Sequence, residues 1–344
     1  MTIVPTIPPI DPALGVQLRA AIDGLAKPPG SLGRMEEIAV RLGLIQATLR
    51  PVVQRALLMV FAGDHGLTAE GVSRYPAAVT LAMVETFLGG KASANAFARA
   101  VGAEIKVVDA GIAQALPNRP GLVQAAIRRG TRNVAHEPAL TESEVGAALD
   151  RGATLAGEAA AEGFDILVMG EMGIGNTASA ALVMHGLTGL ALEKCVGRGA
   201  GQDDAGLAHK LAVLRRASAR AEVREPLRVL AEFGGCEIVM MTGAMLGAAA
   251  ARRAVLVDGF ISTAAALAAA RLAPAVLDYC FFAHRSAESG HGLMLKALNA
   301  RPLFDLEMRL GEGTGALLAV PLLRAAARLL SDVVSLEEIL KGGS

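Results

Sequence analysis

The sequence predicts an α/β protein built on a parallel, Rossmann-like sheet flanked by helices, and two patterns carry that expectation. Short apolar runs that do not alternate recur along the chain, and most run into glycine-containing polar segments. Between them lie longer Ala- and Leu-rich stretches with helical spacing. A strand buried on both faces reads as a continuous apolar run. Strands alternating with helices of this length imply parallel crossovers.

The first expected strand is 56–61 (ALLMVF), running into AGDHG. Next come 104–108 (EIKVV, into DAG), 165–169 (DILVM, into GEMGIGN), 253–257 (RAVLV, into DG) and 277–282 (LDYCFF, into AHRSAESGHG). Helical spacing marks 79–100, 144–162, 204–221 and 262–272, and Thr141-Glu-Ser-Glu144 fits a capping box opening the second of these. The ends differ. After an extended Pro-rich start, 11–25 and 32–49 read as helices, and residues from about 293 onward read mostly as helix. The expected division is a large α/β nucleotide-binding and catalytic domain over 51–292, with a smaller helical domain made from both chain ends, 1–50 plus 293–344.

With 344 residues, the chain is long enough for a sizeable core in one large domain or two unequal ones. Lys plus Arg (33) equals Asp plus Glu (33), so no basic excess exists to collect nucleic-acid phosphates or anionic lipid. Aromatics are 3% and Trp is absent, which removes base-stacking platforms and argues against a nucleic-acid partner. A composition 53% hydrophobic invites a membrane reading, but a spanning helix needs about 20 consecutive apolar residues. The stretch 238–251 stops at Arg252 and Arg253, and the stretch after Gly175 carries Asn176, Thr177, Ser179 and His185; both are expected to be buried helices, with no membrane partner. The first fifteen residues hold four prolines and no basic region ahead of an apolar core, so no secretory signal is expected. Cys195, Cys236 and Cys280 form no CxxC pair and are expected to be buried, inert thiols. The expected location is cytoplasmic.

In parallel sheets, ligands bind beyond the carboxyl ends of the strands, and the glycine-rich segments fall at that edge. In Met169-Gly-Glu-Met-Gly-Ile-Gly-Asn-Thr177 a strand feeds a loop and then a helix. Inward backbone N–H groups and a helix N-terminus make a phosphate cradle; a tight strand-to-helix turn reads the same way. Lysine is missing and the spacing is not GxGxxG, so neither a Walker loop nor a dinucleotide fingerprint is present. Val196-Gly-Arg-Gly-Ala-Gly-Gln-Asp-Asp204 brings further glycines, followed by Lys210, which either reaches an anion or ribose hydroxyls or is an ordinary solvated lysine. In Arg309-Leu-Gly-Glu-Gly-Thr-Gly315, Glu312 either caps a helix or, in an apolar pocket, serves as a general base of raised pKa. Asp64-His65 at a strand end is a possible catalytic or metal pair, but the six histidines are scattered and no metal site is expected. Tyr75, Val79 and Met83 either wall a flat apolar pocket or belong to the core, and Ser286 can donate to a ligand. No GxSxG elbow supports a hydrolase.

Taken together, Lys27-Pro-Pro-Gly-Ser-Leu-Gly33, Gly63-Asp-His-Gly66, Gly170-Glu-Met-Gly-Ile-Gly-Asn-Thr177, Gly197-Arg-Gly-Ala-Gly201, Ala283-His-Arg-Ser-Ala-Glu288 and Leu310-Gly-Glu-Gly-Thr-Gly315 resemble, in order, the signature blocks of the nicotinate-nucleotide:dimethylbenzimidazole phosphoribosyltransferases. The resemblance implies transfer of the phosphoribosyl group of nicotinate mononucleotide to dimethylbenzimidazole, with inversion. The products would be nicotinate and α-ribazole phosphate for the cobalamin lower ligand. It also implies a homodimer that needs neither metal nor cofactor. Glu312 matches the family's catalytic base, and Glu171 and Lys210 match residues lining the ribose and base region. Gly173, Gly175, Asn176, Thr177, Gly199 and Gly201 match loops near the nucleotide phosphate. Ser286, Leu310, Tyr75, Val79 and Met83 match the neighbourhood of the benzimidazole pocket, and Glu171 is the candidate for stabilising positive charge on the sugar.

Overall fold

The computed structural model describes residues 4–342. Residues 1–3, within the expected Pro-rich start and signal-free N-terminus, and 343–344, at the far end of the expected helical domain, lie outside the described residues.

The strands are β1 (Ala56–Gly63), β2 (Glu104–Gly111), β3 (Leu122–Gln124), β4 (Ile166–Met172), β5 (Ala254–Val257) and β6 (Cys280–Phe282). The helices are α1 (Pro12–Asp23), α2 (Arg34–Gln46), α3 (Ala78–Leu88), α4 (Ser93–Val101), α5 (Glu142–Ala161), α6 (Asn176–Thr188), α7 (Leu192–Cys195), α8 (Asp204–Arg220), α9 (Pro226–Phe233), α10 (Cys236–Ala250), α11 (Phe260–Leu272), α12 (His291–Ala297), α13 (Thr314–Asp332) and α14 (Leu336–Gly342). The sheet runs β3-β2-β1-β4-β5-β6 and every pairing is parallel. The chain winds outward from β1 to β3, returns beside β1 as β4, and winds outward again. The crevice at the carboxyl ends of β1 and β4 is therefore the switch point where such sheets take ligands.

Every residue of β1, β5 and β6 is buried, as strands covered on both faces require. α10 lies on β1, β2, β4 and β5 together with α5 and α11, whereas α13 lies on β4 and β5 together with α2, α4 and α1. The small residues of the sequence serve this packing. A Cβ on Gly152, Gly243 or Gly247 would overlap backbone of the facing helix, so glycine is what lets α5 and α10 touch main chain to main chain. The two chain ends meet each other, where Ala26 N–H donates to the Val334 carbonyl at 2.9 Å, and the N-terminal segment meets the rest of the fold, where Tyr279 Oη donates to the Pro8 carbonyl at 2.6 Å.

Four details depart from the sequence reading. The 79–100 stretch is two helices, because Gly90 takes φ +71° and turns the chain between α3 and α4. Only the last three residues of 277–282 pair as strand; Pro274–Tyr279 is a 3₁₀ turn. The short edge strand β3 was not expected. Beyond α12, residues 298–313 run without helix before α13 begins. The capping box at Thr141 does form: Glu144 N–H donates to Thr141 Oγ1 at 3.1 Å and Thr141 N–H donates to Glu144 Oε2 at 2.7 Å. Among the described helices, α13 alone has the length and apolarity to cross a bilayer, a stretch the sequence reading did not weigh; half of it is buried inside the protein.

Candidate active site

A cavity of about 500 Å³ opens at the carboxyl edge of the sheet. Its walls come from the end of β4, the loops before α3, α6 and α8, the segment after β6, and the loop leading into α13. Of the residues singled out in sequence, Glu312, Glu171, Gly173, Gly175, Asn176, Thr177, Gly199, Lys210, Ser286, Leu310, Tyr75, Val79 and Met83 all line it. Gly201 does not: it lies just behind the wall, where its carbonyl accepts from Arg74 Nη1 at 2.8 Å.

The loop from Gly173 delivers the N-terminus of α6 to the cavity. Gly175 takes φ +91°, and a Cβ on Gly173 would overlap the Gly63 carbonyl, so the turn demands glycine at both places. No side chain caps α6, which leaves its dipole end available to an anion. The second glycine loop folds over the first. Lys210 Nζ donates to Thr177 Oγ1 at 2.9 Å and to the Gly197 carbonyl at 3.1 Å, while Gly199 N–H donates to Glu288 Oε1 at 3.1 Å. Lys210 is therefore no solvated surface lysine. It is 1% exposed, and burial pulls its ammonium down to about 8 against the opposing charge of Glu288.

Two buried acids face each other across β4 and the α13 loop. Burial pushes the Glu171 carboxyl up to about 8, with the charges of Asp258 and Glu237 adding to it. Glu171 Oε1 accepts from Glu312 N–H at 3.4 Å, and Oε2 accepts from the Asn176 amide. Glu312 sits at φ +63° between Gly311 and Gly313, both also at positive φ. A carboxylate-bearing residue in the left-handed region costs about 1 kcal/mol, so the loop spends strain to aim it. Its Oε2 accepts from Ala94 N–H at 3.2 Å, in the first turn of α4. The expected capping contact exists, but to α4 rather than to the helix that follows Glu312. Burial raises the Glu312 carboxyl, and the α4 amide only partly offsets it.

On the other side, Ser286 N–H donates to His291 Nδ1 at 2.8 Å, and His291 Nε2 meets Thr263 Oγ1 at 2.9 Å. Burial drives His291 down to about 3, so it is neutral and Nε2 carries its proton. Tyr75 and Leu310 are more than half exposed and form the apolar rim. Sequence reasoning did not single out Arg74, Arg198, Arg309, His284 or Glu288 as site residues, yet all line the cavity. Three of them are arginines that looked like any surface arginine. Asp64-His65 is not part of the wall: His65 Nε2 pairs with Glu237 Oε1 at 2.8 Å, and Asp64 Oδ2 accepts from Ala113 N–H at 2.8 Å. Among the described residues, no group of three His, Cys, Asp or Glu side chains converges as metal ligands.

A doubly wound sheet with an uncapped helix end, a buried lysine and two buried glutamates at its switch point fits an α/β enzyme that handles a phosphorylated nucleotide. The chain's relatives narrow the class. The family described as Phosphoribosyltransferase matches residues 7–339. The nicotinate-nucleotide--dimethylbenzimidazole phosphoribosyltransferase of Cupriavidus taiwanensis is 53% identical over 332 residues, covering 96% of both chains. That of Geobacter sulfurreducens is 46% identical over 96% of this chain and 94% of its own. The crystal structure of CobT from Thermus thermophilus superposes with a TM-score of 0.92 at 45% identity, covering 95% of this chain and 98% of that one. This chain belongs to that phosphoribosyltransferase family.

Proposed function

We propose that this protein transfers the 5-phosphoribosyl group of nicotinate mononucleotide to dimethylbenzimidazole with inversion, releasing nicotinate and forming α-ribazole phosphate for the cobalamin lower ligand. The observation that carries the reading is the placement of Glu312, a buried acid of raised pKa on a left-handed backbone, on the same cavity as Glu171 and the Lys210–Thr177 phosphate loop.

In this reading the α6 N-terminus and the Gly173–Thr177 and Gly199 loops take the phosphate, with Lys210 beneath them and Gly201 supporting from behind. The nicotinate ring is bound as a pyridinium, so it leaves with an uncharged ring nitrogen that keeps the electron pair of the broken C–N bond. Glu171, neutral in the empty site, is drawn to its carboxylate by the cationic ring. It then stabilises the positive charge that grows on the anomeric carbon. One nitrogen of dimethylbenzimidazole, held between Tyr75, Val79, Met83, Leu310 and Ser286, attacks from the opposite face. The proton on its other nitrogen passes to Glu312, a step worth about two to four orders of magnitude in rate. Holding both substrates in line supplies much of the rest.

We assign 51–292 as the large nucleotide-binding and catalytic domain and 1–50 with 293–344 as the small helical domain, which lends Leu310 and Glu312 to the cavity; the packing of α1, α2 and α13 on one another supports the division. We assign the active form as a cytoplasmic homodimer. Three buried free thiols suit a reducing compartment, and the exposed Tyr75, Leu306 and Leu310 offer an apolar surface for a second copy.

The test is incubation of the protein with nicotinate mononucleotide and dimethylbenzimidazole without added metal. Nicotinate and α-ribazole phosphate should appear in equal amounts. Nicotinate alone would mean a different acceptor, and no product from this base or a panel of others would refute the reaction.

A further inference from the structure

The residue that follows β5 is Asp258, 1% exposed and not itself part of the cavity wall. Its Oδ1 accepts from Ala316 N–H at 2.8 Å, in the first turn of α13. His284 brings Nε2 to 3.6 Å from the same oxygen. The imidazole is held by Phe304, stacked with centroids 6.2 Å apart, and by the edge of His291 at 6.3 Å. Gly315 makes the arrangement possible: a Cβ there would overlap the His284 ring and come within 2.9 Å of Asp258 Oδ1. The helix end so anchored begins two residues after Glu312.

A neutral acceptor would satisfy one helix amide. An acid here is costly, because it is desolvated and faces other acids. The groups around it are Glu171 from β4, Glu312 from the α13 loop and His284 after β6; His291 of α12 stands behind His284, and Glu237 of α10 acts on Glu171 from the far side. Asp258 acts on both glutamates in the same sense, adding to burial in holding each above the ordinary carboxylate range. A buried acid bonded to the first turn of α13, two residues beyond the loop that carries Glu312 into the cavity, is placed to act on the transfer site.

We propose that Asp258 is a positioning residue for the transfer reaction: it anchors the helix end that presents Glu312 and sets an acidic side chain beside the loop that carries Glu312. The assignment rests on the reaction proposed above. Asp258→Asn keeps an acceptor oxygen for Ala316 and removes the charge. The acid limb of the kcat profile, which reports ionisations in the substrate complex, moves to lower pH by about one unit, and the plateau rate falls several-fold because Glu312 is a weaker base. Asp258→Ala, which also loses the anchor, loses far more kcat. A second measurement needs no turnover: the infrared band of the protonated Glu312 carboxyl, identified by its loss in Glu312→Gln, disappears at lower pH in Asp258→Asn than in the parent. Coincident Glu312 titrations in the two proteins would overturn the role of Asp258. A shifted titration in a protein that makes no product would refute the reaction and leave the Asp258–Glu312 coupling standing.

Discussion

The backbone N–H of Glu312 donates to Glu171 Oε1, so the residue proposed as general base also steadies the carboxyl proposed to face the donor sugar. The α13 loop and the end of β4 thus form one unit. Asn176, the first residue of α6, holds the other Glu171 oxygen, which ties that unit to the Gly173–Thr177 loop proposed to take the phosphate. In the proposed reaction, donor and acceptor chemistry would share this single hydrogen-bonded frame, and changes in one should register in the other.

Glu312→Gln retains the shape and the contact to Ala94 but cannot take a proton. Turnover is expected to fall by about 10²–10⁴, with the dissociation constant for nicotinate mononucleotide little changed. Single-turnover assays paired with equilibrium binding check this. Near-normal turnover would remove Glu312 from the role of base.

Gly311 tests the frame itself. It takes φ +85°, and an added Cβ would overlap Glu171 Oε1. Gly311→Ala is expected to cost about 1 kcal/mol of stability through its backbone conformation and at least tenfold in kcat through the displaced Glu171. A variant that loses stability without losing kcat would show that the contact between the two acids is incidental.

Much of this arrangement could be read from the chain, for physical reasons. β1, β4 and β5 are covered on both faces, so their apolar runs stand out, and the glycine loops that follow them fall at the ligand edge. β3 lacks that signature because it is three residues long and only partly buried. Lys210 could not be told from a surface lysine, since its burial depends on the 197–201 loop folding over Thr177. In the sequence Asp258 is only the acid into which the fourth expected strand runs. Its partners Ala316 and His284 are distant in sequence and are brought to it by α13 and the segment after β6. The same holds for His65, whose partner Glu237 sits on α10.

That buried pair predicts a pH effect on stability. Burial alone would lower the His65 imidazole, but the charge and hydrogen bond of Glu237, with Asp64 nearby, outweigh it and raise its pKa. A raised pKa contributes stability that is full below the unfolded value of about 6.5 and is lost as pH rises through the folded value. Urea unfolding from about pH 6 to about pH 9 should show this loss, and Glu237→Gln should abolish it while costing about 3 kcal/mol at the acid end. Parallel pH dependences in the two proteins would place the ion pair outside the stability balance.

The two perturbed groups at the site predict proton exchange on nucleotide binding that changes sign with pH. Glu171 and Lys210 are both poised at about 8 when the site is empty. At about pH 7 Lys210 is already charged and Glu171 is mostly protonated, so the arriving pyridinium drives Glu171 to release a proton. At about pH 9 Glu171 is already ionised and Lys210 is mostly neutral, so the arriving phosphate drives Lys210 to take one up. Calorimetry of nicotinate mononucleotide binding in buffers of different ionisation enthalpy measures the difference directly. Net release on the acid side and net uptake on the alkaline side are expected, with the crossing near the shared value of about 8. Lys210→Met should erase the uptake while leaving the release, and weaken nucleotide binding at least tenfold. Proton exchange of one sign across the whole range would mean that the substrate's two charges do not lie against these two side chains, and the assignment of donor groups to the cavity would have to be reversed.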